Sequence, residues 1–378
     1  MPSEVSITFS GQIEEFCSEI RAEAFIVSNR PETGVLEDDP FKLEHLPKRE
    51  RRGLFYFVEE IRYCFCLARR ARRFKADVAL LDSGTTQFFM MALFPLLGIP
   101  VIPILHNSLW PKGFRPESRG QRIIQWLDGM FWRRVPRAVL AVSPEVQRQV
   151  EELAGPHHRP IHQIRAQFDP QYFSSIPPAD PDAVPFRVMF IGRVVPEKGV
   201  LDIPVMARAI EDRAPGFVRW TICGRGTALE MLRARIVELG LSQVVEVHGW
   251  TSLEDLQRIY AESHVSIVPT RSGFTEGLAM TAAEAILAGR PLVTNPIVPA
   301  LELLAPAAME ARSNDAESHA EAVFALASDR QLYRQLQAAC ASLSGQFYDR
   351  SQGIAAVLKR VLATKKVNLR DDISDSRK

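Results

Sequence analysis

Two glutamates stand eight positions apart in the stretch GFTEGLAMTAAEAILAGRPLV, residues 273–293, with a glycine directly after the first. The apolar spacing predicts a helix that begins near Glu276, so Glu284 would lie about 12 Å further along its axis. The N–H groups of Gly277 and Leu278 at this helix start, together with the helix dipole, favour an anion. A ligand with a diphosphate between two hydroxyl-rich rings would fit this spacing. The alternative is that Glu276 is a loop residue and Glu284 a solvated one.

A second stretch supplies cations at the end of a predicted strand. The run GRVVPEKG, residues 192–199, places Arg193 and Lys198 directly before a predicted helix. An arginine fork and a lysine point charge suit a diphosphate, and Gly192 permits a sharp exit from the strand. The alternative is a solvated turn with two surface charges.

A third stretch, GRGT, contains Gly224 and Gly226, which would let backbone approach a ligand. It lacks the third glycine of the Gly-x-Gly-x-x-Gly dinucleotide fingerprint because position 229 is leucine. The chain also has no Gly-Lys-Ser/Thr phosphate loop. Nicotinamide-dependent and P-loop chemistry therefore lose their main support.

The second half of the chain resembles the family-4 retaining glycosyltransferases of GT-B fold. The resemblance extends over residues 187–304, and its most specific feature is the Glu-x7-Glu pair. It implies that Arg193 and Lys198 hold the donor diphosphate. It also implies that Glu276 contacts the donor sugar and Glu284 the nucleotide ribose. The matching residues are Gly192-Arg193, Pro196-Glu197-Lys198-Gly199, Gly224-x-Gly226, Gly249, Glu276-Gly277, Glu284-Ala285 and Gly289-x-Pro291-Leu292-Val293.

The same resemblance implies a reaction. The co-substrate would be a UDP- or GDP-linked sugar, transferred with retention of configuration and without a further cofactor. No metal would be needed, because Arg193, Lys198 and the helix dipole would stabilise the departing diphosphate. That diphosphate would itself accept the acceptor proton. Glu302 resembles a later, less diagnostic glutamate of the family.

The first half resembles the acceptor side of this family at several places. In IPVIPILHNSLWP, His106 corresponds to a residue beside the reacting sugar carbon, and Asn107 stands where the family often has aspartate. Ser10 and Gly11 stand where the family has a glycine-rich loop. These four residues are the predicted acceptor side, and His106 joins the predicted catalytic set with Arg193, Lys198 and Glu276. From the residues alone, a buried or turn histidine is the alternative for His106.

Short β-branched runs alternate with longer amphipathic runs, which favours parallel sheets with helices on both faces. A proline-rich linker at residues 174–186 separates two such series. We expect an α/β protein of GT-B architecture, with two doubly wound, Rossmann-like domains facing a cleft. The acceptor-side domain is residues 1–173 and the nucleotide-sugar domain residues 187–345. One option for residues 346–363 is a helix that returns to the first domain, and residues 364–378 are expected to be disordered.

The predicted element bounds follow from these runs. Strands are expected at 5–9, 24–27, 78–81, 101–105, 139–142, 187–191, 220–223, 244–247, 265–268 and 291–293. Helices of the second half are expected at 201–212, 228–239, 253–261, 278–288, 316–327 and 330–342.

Residues 48–75 are strongly basic, with ten Lys or Arg and three Glu. This stretch could lie on an anionic membrane, and the alternative is a core-packed helix with a solvated basic face. Residues 112–137 add seven more basic residues. One helix face is predicted there by apolar residues at steps of three and four: Leu54, Val58, Ile61, Phe65 and Ala68.

The remaining composition excludes several classes of protein. The net charge of +1 and the lack of a recognition module argue against nucleic acid binding. Five scattered cysteines are typical of reduced thiols in a cytoplasmic protein, and residues 1–10 do not form a secretory signal. Residues 88–105 approach the length of a membrane span, but their prolines and Gly98 favour a buried helix followed by a buried strand.

We therefore expect a glycosyltransferase in the cytoplasm that acts on a sugar, a lipid-linked molecule or another small acceptor. Peripheral association with the inner membrane face is one option. One alternative is a catalytically silent relative that binds a nucleotide sugar or a partner. A second alternative is an epimerase-like enzyme acting on nucleotide sugars.

Overall fold

A computed structural model describes residues 6–29 and 42–363. The predicted tail, residues 364–378, lies outside the described residues, as does Val5 of the first predicted strand. All strand pairs within the sheets are parallel, and the strands form two Rossmann-like domains, as expected.

The first domain holds a two-stranded sheet, β1-β2, and a four-stranded sheet in the order β3-β4-β5-β6. Its elements are α1 (Phe9–Ile20), β1 (Phe25–Ser28), β2 (Lys42–His45), α2 (Leu54–Phe74), β3 (Ala79–Asp82), α3 (Leu93–Leu96), β4 (Val101–Leu105), α4 (Arg119–Arg134), β5 (Val139–Ala141), α5 (Pro144–Ala154), β6 (Ile161–Gln163) and α6 (Pro170–Ser174).

The connections of this four-stranded sheet form one helical layer. Because β3, β4, β5 and β6 are neighbours in chain order, right-handed crossovers put their connecting helices on the same face. Accordingly, α4 packs against α5 and against the 3-10 helix Phe88–Ala92, and α2 packs against that 3-10 helix and α3.

The second domain has six parallel strands in the order β12-β11-β10-β7-β8-β9. From β7 the strands are added first on one side, as β8 and β9, and then on the other, so the order of addition reverses between β7 and β10. Its elements are β7 (Phe186–Ile191), α7 (Ile203–Arg213), β8 (Val218–Cys223), α8 (Leu229–Glu238), β9 (Val245–Gly249), α9 (Leu253–Glu262), β10 (Val265–Val268), α10 (Met280–Leu287), β11 (Leu292–Thr294), α11 (Ala300–Leu304), β12 (Ala308–Glu310), α12 (Ala316–Ser328) and α13 (Arg330–Ser344). A last helix, α14, spans Ile354–Ala363.

The last helix packs on the first domain. It contacts α1, and the N–H of Ile354 donates to the Gln12 side chain at 2.9 Å. Arg137, just before β5, donates to the carbonyl oxygens of Val361 and Leu362 near the end of α14.

The first predicted strand, 5–9, is wrong in its described part. Ser6 forms an isolated antiparallel bridge to Phe168, and a helix begins at Phe9. The physical reason is a side-chain cap: Thr8 Oγ1 accepts a hydrogen bond from the N–H of Gly11 and thereby starts α1.

The predicted helix around residues 54–68 exists, but its core-facing side differs from the predicted apolar face. Ala68 is buried, whereas Val58, Ile61 and Phe65 are exposed. The buried side contains Tyr63 together with Cys64 and Leu67. Apolar residues occur on both sides of α2, so their spacing could not identify the side that faces the core.

Residues 88–105 form two short helical pieces and a strand. After the 3-10 helix and α3, Gly98 adopts φ +79° and leads into the fully buried strand β4. Within the described part of the chain, no helix combines the length and apolarity that a membrane crossing requires. The other predicted strands are confirmed to within a few residues, whereas β2, β6 and β12 were missed.

Candidate functional site

The reversal point of the second sheet positions two loops side by side. Open parallel sheets bind ligands beyond the carboxyl ends of their strands at such a point. The loop after β7 and the loop after β10 touch where Gly199, at φ +72°, lies against the carbonyl of Pro269. A side chain at position 199 would overlap that carbonyl oxygen, so glycine permits this close approach.

These two loops bring the predicted cations to the first glutamate. Lys198 forms an ion pair with Glu276, and the Thr270 hydroxyl donates to the same carboxylate oxygen at 3.2 Å. Glu276 does lie in a loop, as the alternative had it, but it is only 7% exposed and therefore not solvated. The structure therefore places a buried, partnered carboxylate next to a lysine at the mouth of the sheet.

Phe274 links the two predicted cations. The Lys198 Nζ lies 4.5 Å from its ring centroid, and the Arg193 guanidinium carbon lies 5.0 Å from it. Both distances fit cation–π contacts. Arg271 in the same loop instead pairs with Asp202 at 2.7 Å. Arg193 and Lys198 are therefore held close together, as the binding of a single dianion requires.

The helix after these loops begins later than predicted. α10 starts at Met280, and its N-cap Ala279 adopts a left-handed φ of +70°. Gly277 and Leu278 consequently lie in the turn before the helix, and their N–H groups are not those of its first turn. Alanine in the left-handed region costs about 1 kcal/mol relative to glycine, so this cap could not be predicted from the residue type.

The second glutamate is also buried. Glu284 is 3% exposed, and Tyr260 donates a hydrogen bond to its Oε2 at 3.0 Å. Burial and the adjacent carboxylate raise the pKa of Tyr260, which keeps its hydroxyl protonated as a donor. The alternative of a solvated helix-face residue is therefore wrong for Glu284.

Gly224 and Gly226 serve contacts between loops. Side chains at these positions would overlap the carbonyl oxygens of Gly192 and Val194, respectively. The N–H of Val194 also donates to the Arg225 carbonyl at 2.9 Å. These glycines therefore allow the loop after β7, which carries Arg193, to pack closely against the loop after β8.

On the first domain, His106 follows β4 directly. Its N–H donates to Ser83 Oγ at 3.0 Å, and its Nε2 lies 3.4 Å from Asp82 Oδ1. Phe9 packs edge-on against its ring, with centroids 5.7 Å apart. Ser10 and Gly11 lie next to Phe9 in the first turn of α1 and not in a loop. Asp82 was missed by sequence reasoning, although its place at the end of β3 was a signal.

The two domains touch at the predicted site. A side chain on Gly277 would overlap the His106 carbonyl oxygen, and it would lie 3.1 Å from the Asn107 Cα. The N–H of Ser108 donates to the carbonyl of Glu276 at 3.4 Å. The structure thus brings His106 and Asn107 of the predicted acceptor side to Glu276 and Gly277 of the predicted donor side.

Glu302 connects the domains through side chains. It pairs with Lys112 at 2.6 Å and with Arg148, both from the first domain. Burial acts to raise the pKa of Glu302, but the hydrogen bonds from Arg148 and Lys112 hold that pKa below its ordinary value. Buried Gln149 fixes the first-domain loop that contains Lys112. Its side chain accepts from the N–H of Leu109 and donates to the carbonyl oxygen of Trp110.

A second buried amide supports the Glu276 loop. The side-chain amide of Asn295, after β11, donates to the Thr270 carbonyl at 3.0 Å, and its Oδ1 accepts from the N–H of Ile297 at 3.0 Å. Sequence reasoning missed Asn295, although its position directly after a predicted strand could have indicated it.

Two family models match the chain. The Glycosyl transferase 4-like domain matches residues 9–166, and Glycosyl transferases group 1 matches residues 185–329. Together the two matches span most of the chain. The chain belongs to the glycosyltransferases of GT-B fold.

Solved structures share this glycosyltransferase fold over nearly their whole length. Anabaena Alr3699/HepE in complex with UDP is 15% identical, with a TM-score of 0.69 over 97% of this chain and 98% of its own. Sucrose-phosphate synthase from Thermosynechococcus elongatus is 13% identical, with a TM-score of 0.70 over 96% and 93%. At these identities the likeness concerns the fold.

A curated relative is similar over a shorter region. Amylovoran biosynthesis glycosyltransferase AmsK from Erwinia amylovora is 26% identical over 114 residues. The aligned region covers 29% of this chain and only 28% of the length of AmsK.

Proposed function

We propose that this protein transfers a sugar from a nucleotide-sugar donor to a hydroxyl group of an acceptor. The observation that carries the proposal is the convergence of Arg193, Lys198 and Glu276 at the reversal point of the second sheet. His106 of the first domain closes the same site through its contact with Gly277. Cations, a buried carboxylate and a facing histidine suit a ligand with both a diphosphate and a sugar.

The donor has an orientation in this proposal. Arg193 and Lys198 bind the diphosphate, Glu276 accepts hydrogen bonds from donor sugar hydroxyls, and Glu284 accepts from the ribose. The burial of both carboxylates supports these roles, because a buried carboxylate gains from hydroxyl donors that replace water. The complex of Alr3699/HepE with UDP supports a uridine nucleotide, and GDP-linked sugars remain the other candidate.

The reaction breaks the bond between the anomeric carbon and the diphosphate oxygen, and it forms a bond from that carbon to the acceptor oxygen. The acceptor proton passes to the departing diphosphate on the same face, so the configuration is retained. Arg193 and Lys198 stabilise the negative charge that develops on the diphosphate. In this proposal no metal ion takes part, and the His106 side chain positions the donor sugar beside the acceptor.

The acceptor is a sugar or a lipid-linked molecule, and the protein works in the cytoplasm at the inner membrane face. The first domain supplies the acceptor side, through the loop that contains His106 and Asn107. Ser10 and Gly11 follow Phe9, which contacts His106, in the first turn of α1.

The test is release of nucleoside diphosphate from UDP- and GDP-sugars, with excess chelator and without acceptor. Slow release by the wild type, lost in Arg193→Ala but retained in Arg233→Ala, is the expected result. Loss of activity with chelator would refute the metal-free mechanism, and a product with inverted configuration would refute retention.

Two other results would replace the proposal. Donor binding without any release would favour a silent binding protein, for which the existing ion pair between Lys198 and Glu276 would be the resting arrangement. An epimerised nucleotide sugar formed without acceptor would favour an epimerase-like enzyme.

A further inference from the structure

The outward faces of α2 and α4 expose large apolar side chains. On α2, Phe55 is 73% and Phe65 60% exposed, and on α4 Trp126 is 61% exposed. They recur at helical steps, so each helix presents them on one side. The exposed apolar residues of the two helices are Phe55, Val58, Ile61, Phe65, Ile123 and Trp126. These residues and the exposed arginines of the same two helices make up a surface that we name the apolar–arginine face.

The exposed charged residues on the same helices are all positively charged. The three carboxylates within these helices, Glu59, Glu60 and Asp128, are all buried. The exposed charged residues are arginines, and on α2 they continue the line of the apolar residues toward the helix C-terminus. These arginines are Arg69, Arg72, Arg73, Arg119, Arg122, Arg133 and Arg134.

The outward sides of α2 and α4 belong to one face of the first domain. Both belong to the single helical layer on the four-stranded sheet, where each contacts the 3-10 helix Phe88–Ala92 between them. The exposed Leu96 of α3 lies in the same layer. The outward sides of the layer therefore form one face of the first domain.

The apolar end of this face lies beside the active-site loops. Lys48 pairs with Glu60 of α2 at 2.6 Å and donates to the Thr85 carbonyl, in the loop that follows β3. The N-terminal half of α2, which carries the apolar residues, is thus at the carboxyl end of the sheet. α4 follows the loop that contains His106, so Ile123 and Trp126 lie toward the same end.

We propose that the apolar–arginine face docks on a membrane surface of anionic lipid. Aromatic and aliphatic side chains can enter the boundary between headgroups and acyl chains, while arginines bind lipid phosphates. Charge argues against a second copy of the chain as the occupant, because two such faces would bring arginines against arginines.

The docked orientation has a consequence for the reaction, which rests on the proposed function. It places the loop of His106 near the bilayer, so the acceptor hydroxyl belongs to a molecule anchored in that bilayer. A soluble nucleotide sugar would enter from the second domain, which has no part in the docking face.

The test is flotation of the full-length protein with vesicles of phosphatidylcholine, alone or with one third phosphatidylglycerol. The expected result is binding to the anionic vesicles that weakens as salt shortens the Debye length. The double variant Phe65→Gln/Trp126→Gln should bind at least about tenfold more weakly, because apolar burial is lost. Arg72→Glu/Arg122→Glu should weaken binding further, by about fivefold or more for each arginine.

A matched control is the double variant Met231→Gln/Val237→Gln, which replaces equally exposed apolar residues on α8 of the second domain. It should bind vesicles like the wild type. Equal binding by the α2/α4 variants, equal binding to neutral vesicles, or dimerisation through this face in place of vesicle binding would overturn the proposal. The UDP-induced thermal shift of each variant is measured in parallel, so a failure of membrane docking is distinguished from a failure of donor binding.

Discussion

At the candidate site, the second domain contributes a lysine that is already paired with a buried glutamate, whereas the first contributes a histidine and backbone groups. Lys198 and Glu276 are partners in the second domain. His106 meets that domain through its carbonyl, at a position where Gly277 has no side chain. The donor side is thus fixed by its own electrostatics, while the acceptor side depends on how closely one loop approaches.

This difference suggests that the second domain stabilises the leaving group, whereas the first domain positions the acceptor. A preorganised set of charges can stabilise a leaving group without reorganisation during the reaction. A loop held by Gln149 and by contacts across the interface can determine where the acceptor stands relative to the donor. Variants on the two sides should therefore fail in different ways.

The largest effect is expected on the donor side. Arg193→Ala and Lys198→Ala should each lower kcat by about 10²–10³-fold, because each removes a cation from the departing diphosphate. Steady-state kinetics with the identified donor would measure this. Arg193 is exposed, so its variant should fold normally.

Lys198→Arg serves as the conservative control and should recover part of the activity. A kcat within about threefold of wild type in both alanine variants would contradict the charge-stabilisation role.

The acceptor side is tested by a single methyl group. Gly277→Ala should lower transfer by about 10²-fold, because the added Cβ overlaps the His106 carbonyl and displaces the first-domain loop. Donor hydrolysis and UDP binding should fall much less. Gly273→Ala in the same loop is the control, since its Cβ would approach no closer than 3.6 Å to Glu197 Cγ. Equal transfer by both variants would show that the close approach has no role.

One buried titratable group in each domain has a strongly shifted pKa, and the two groups predict opposite slopes of stability with pH. Burial raises the pKa of Asp128 in the first domain to about 7, so the folded state holds a proton that the unfolded state releases above its lower pKa. Its stabilising effect is complete below the unfolded pKa and is lost as pH rises toward 7. Asp128→Asn should remove this loss, which is on the order of 4 kcal/mol.

In the second domain, burial lowers the pKa of His264 to about 4. The unfolded state takes up a proton below about pH 6.5 while the folded state does not, so stability falls as pH falls from there toward 4. Denaturant unfolding of wild type and Asp128→Asn between pH 4 and 8 would measure both slopes. A variant with the wild-type slope above pH 5 would contradict the assignment to Asp128.

The smallest effect is expected at the ion pairs between the domains. Glu302→Gln should weaken the contact with Lys112 and Arg148 by about 1 kcal/mol or less, because these pairs are partly solvated. A modest, salt-dependent rise in KM for the acceptor would follow. The same substitution tests the family's later glutamate, because loss of UDP binding would indicate a donor role instead.

The sequence allowed the second domain to be predicted more closely than the first, for physical reasons. Its strands are short buried runs whose carboxyl ends carry Arg193, Lys198 and Glu276, so the parallel-sheet rule sufficed to group them. It could not reveal that Ala279, in a left-handed conformation, delays α10 until Met280.

In the first domain the local signals were ambiguous. α2 carries apolar residues on two sides, so periodicity could not distinguish the core side from the side that exposes Phe65. Ser10 and Gly11 were expected in a loop because the family that the chain resembles has a glycine-rich loop there, whereas the Thr8 cap makes them the start of a helix. Asp82 beside His106 depends on the pairing of β3 with β4, which no local pattern encodes.

The donor site is tested most directly by a thermal-shift measurement with UDP, GDP and ADP on the wild type, Arg193→Ala and Gly277→Ala. Ligand bound to the folded state raises the melting temperature by mass action. A donor diphosphate site at Arg193 predicts a rise with one nucleotide that is lost in Arg193→Ala and largely retained in Gly277→Ala. No rise with any nucleotide, or an equal rise in Arg193→Ala, would contradict a donor diphosphate site at the reversal point of the second sheet.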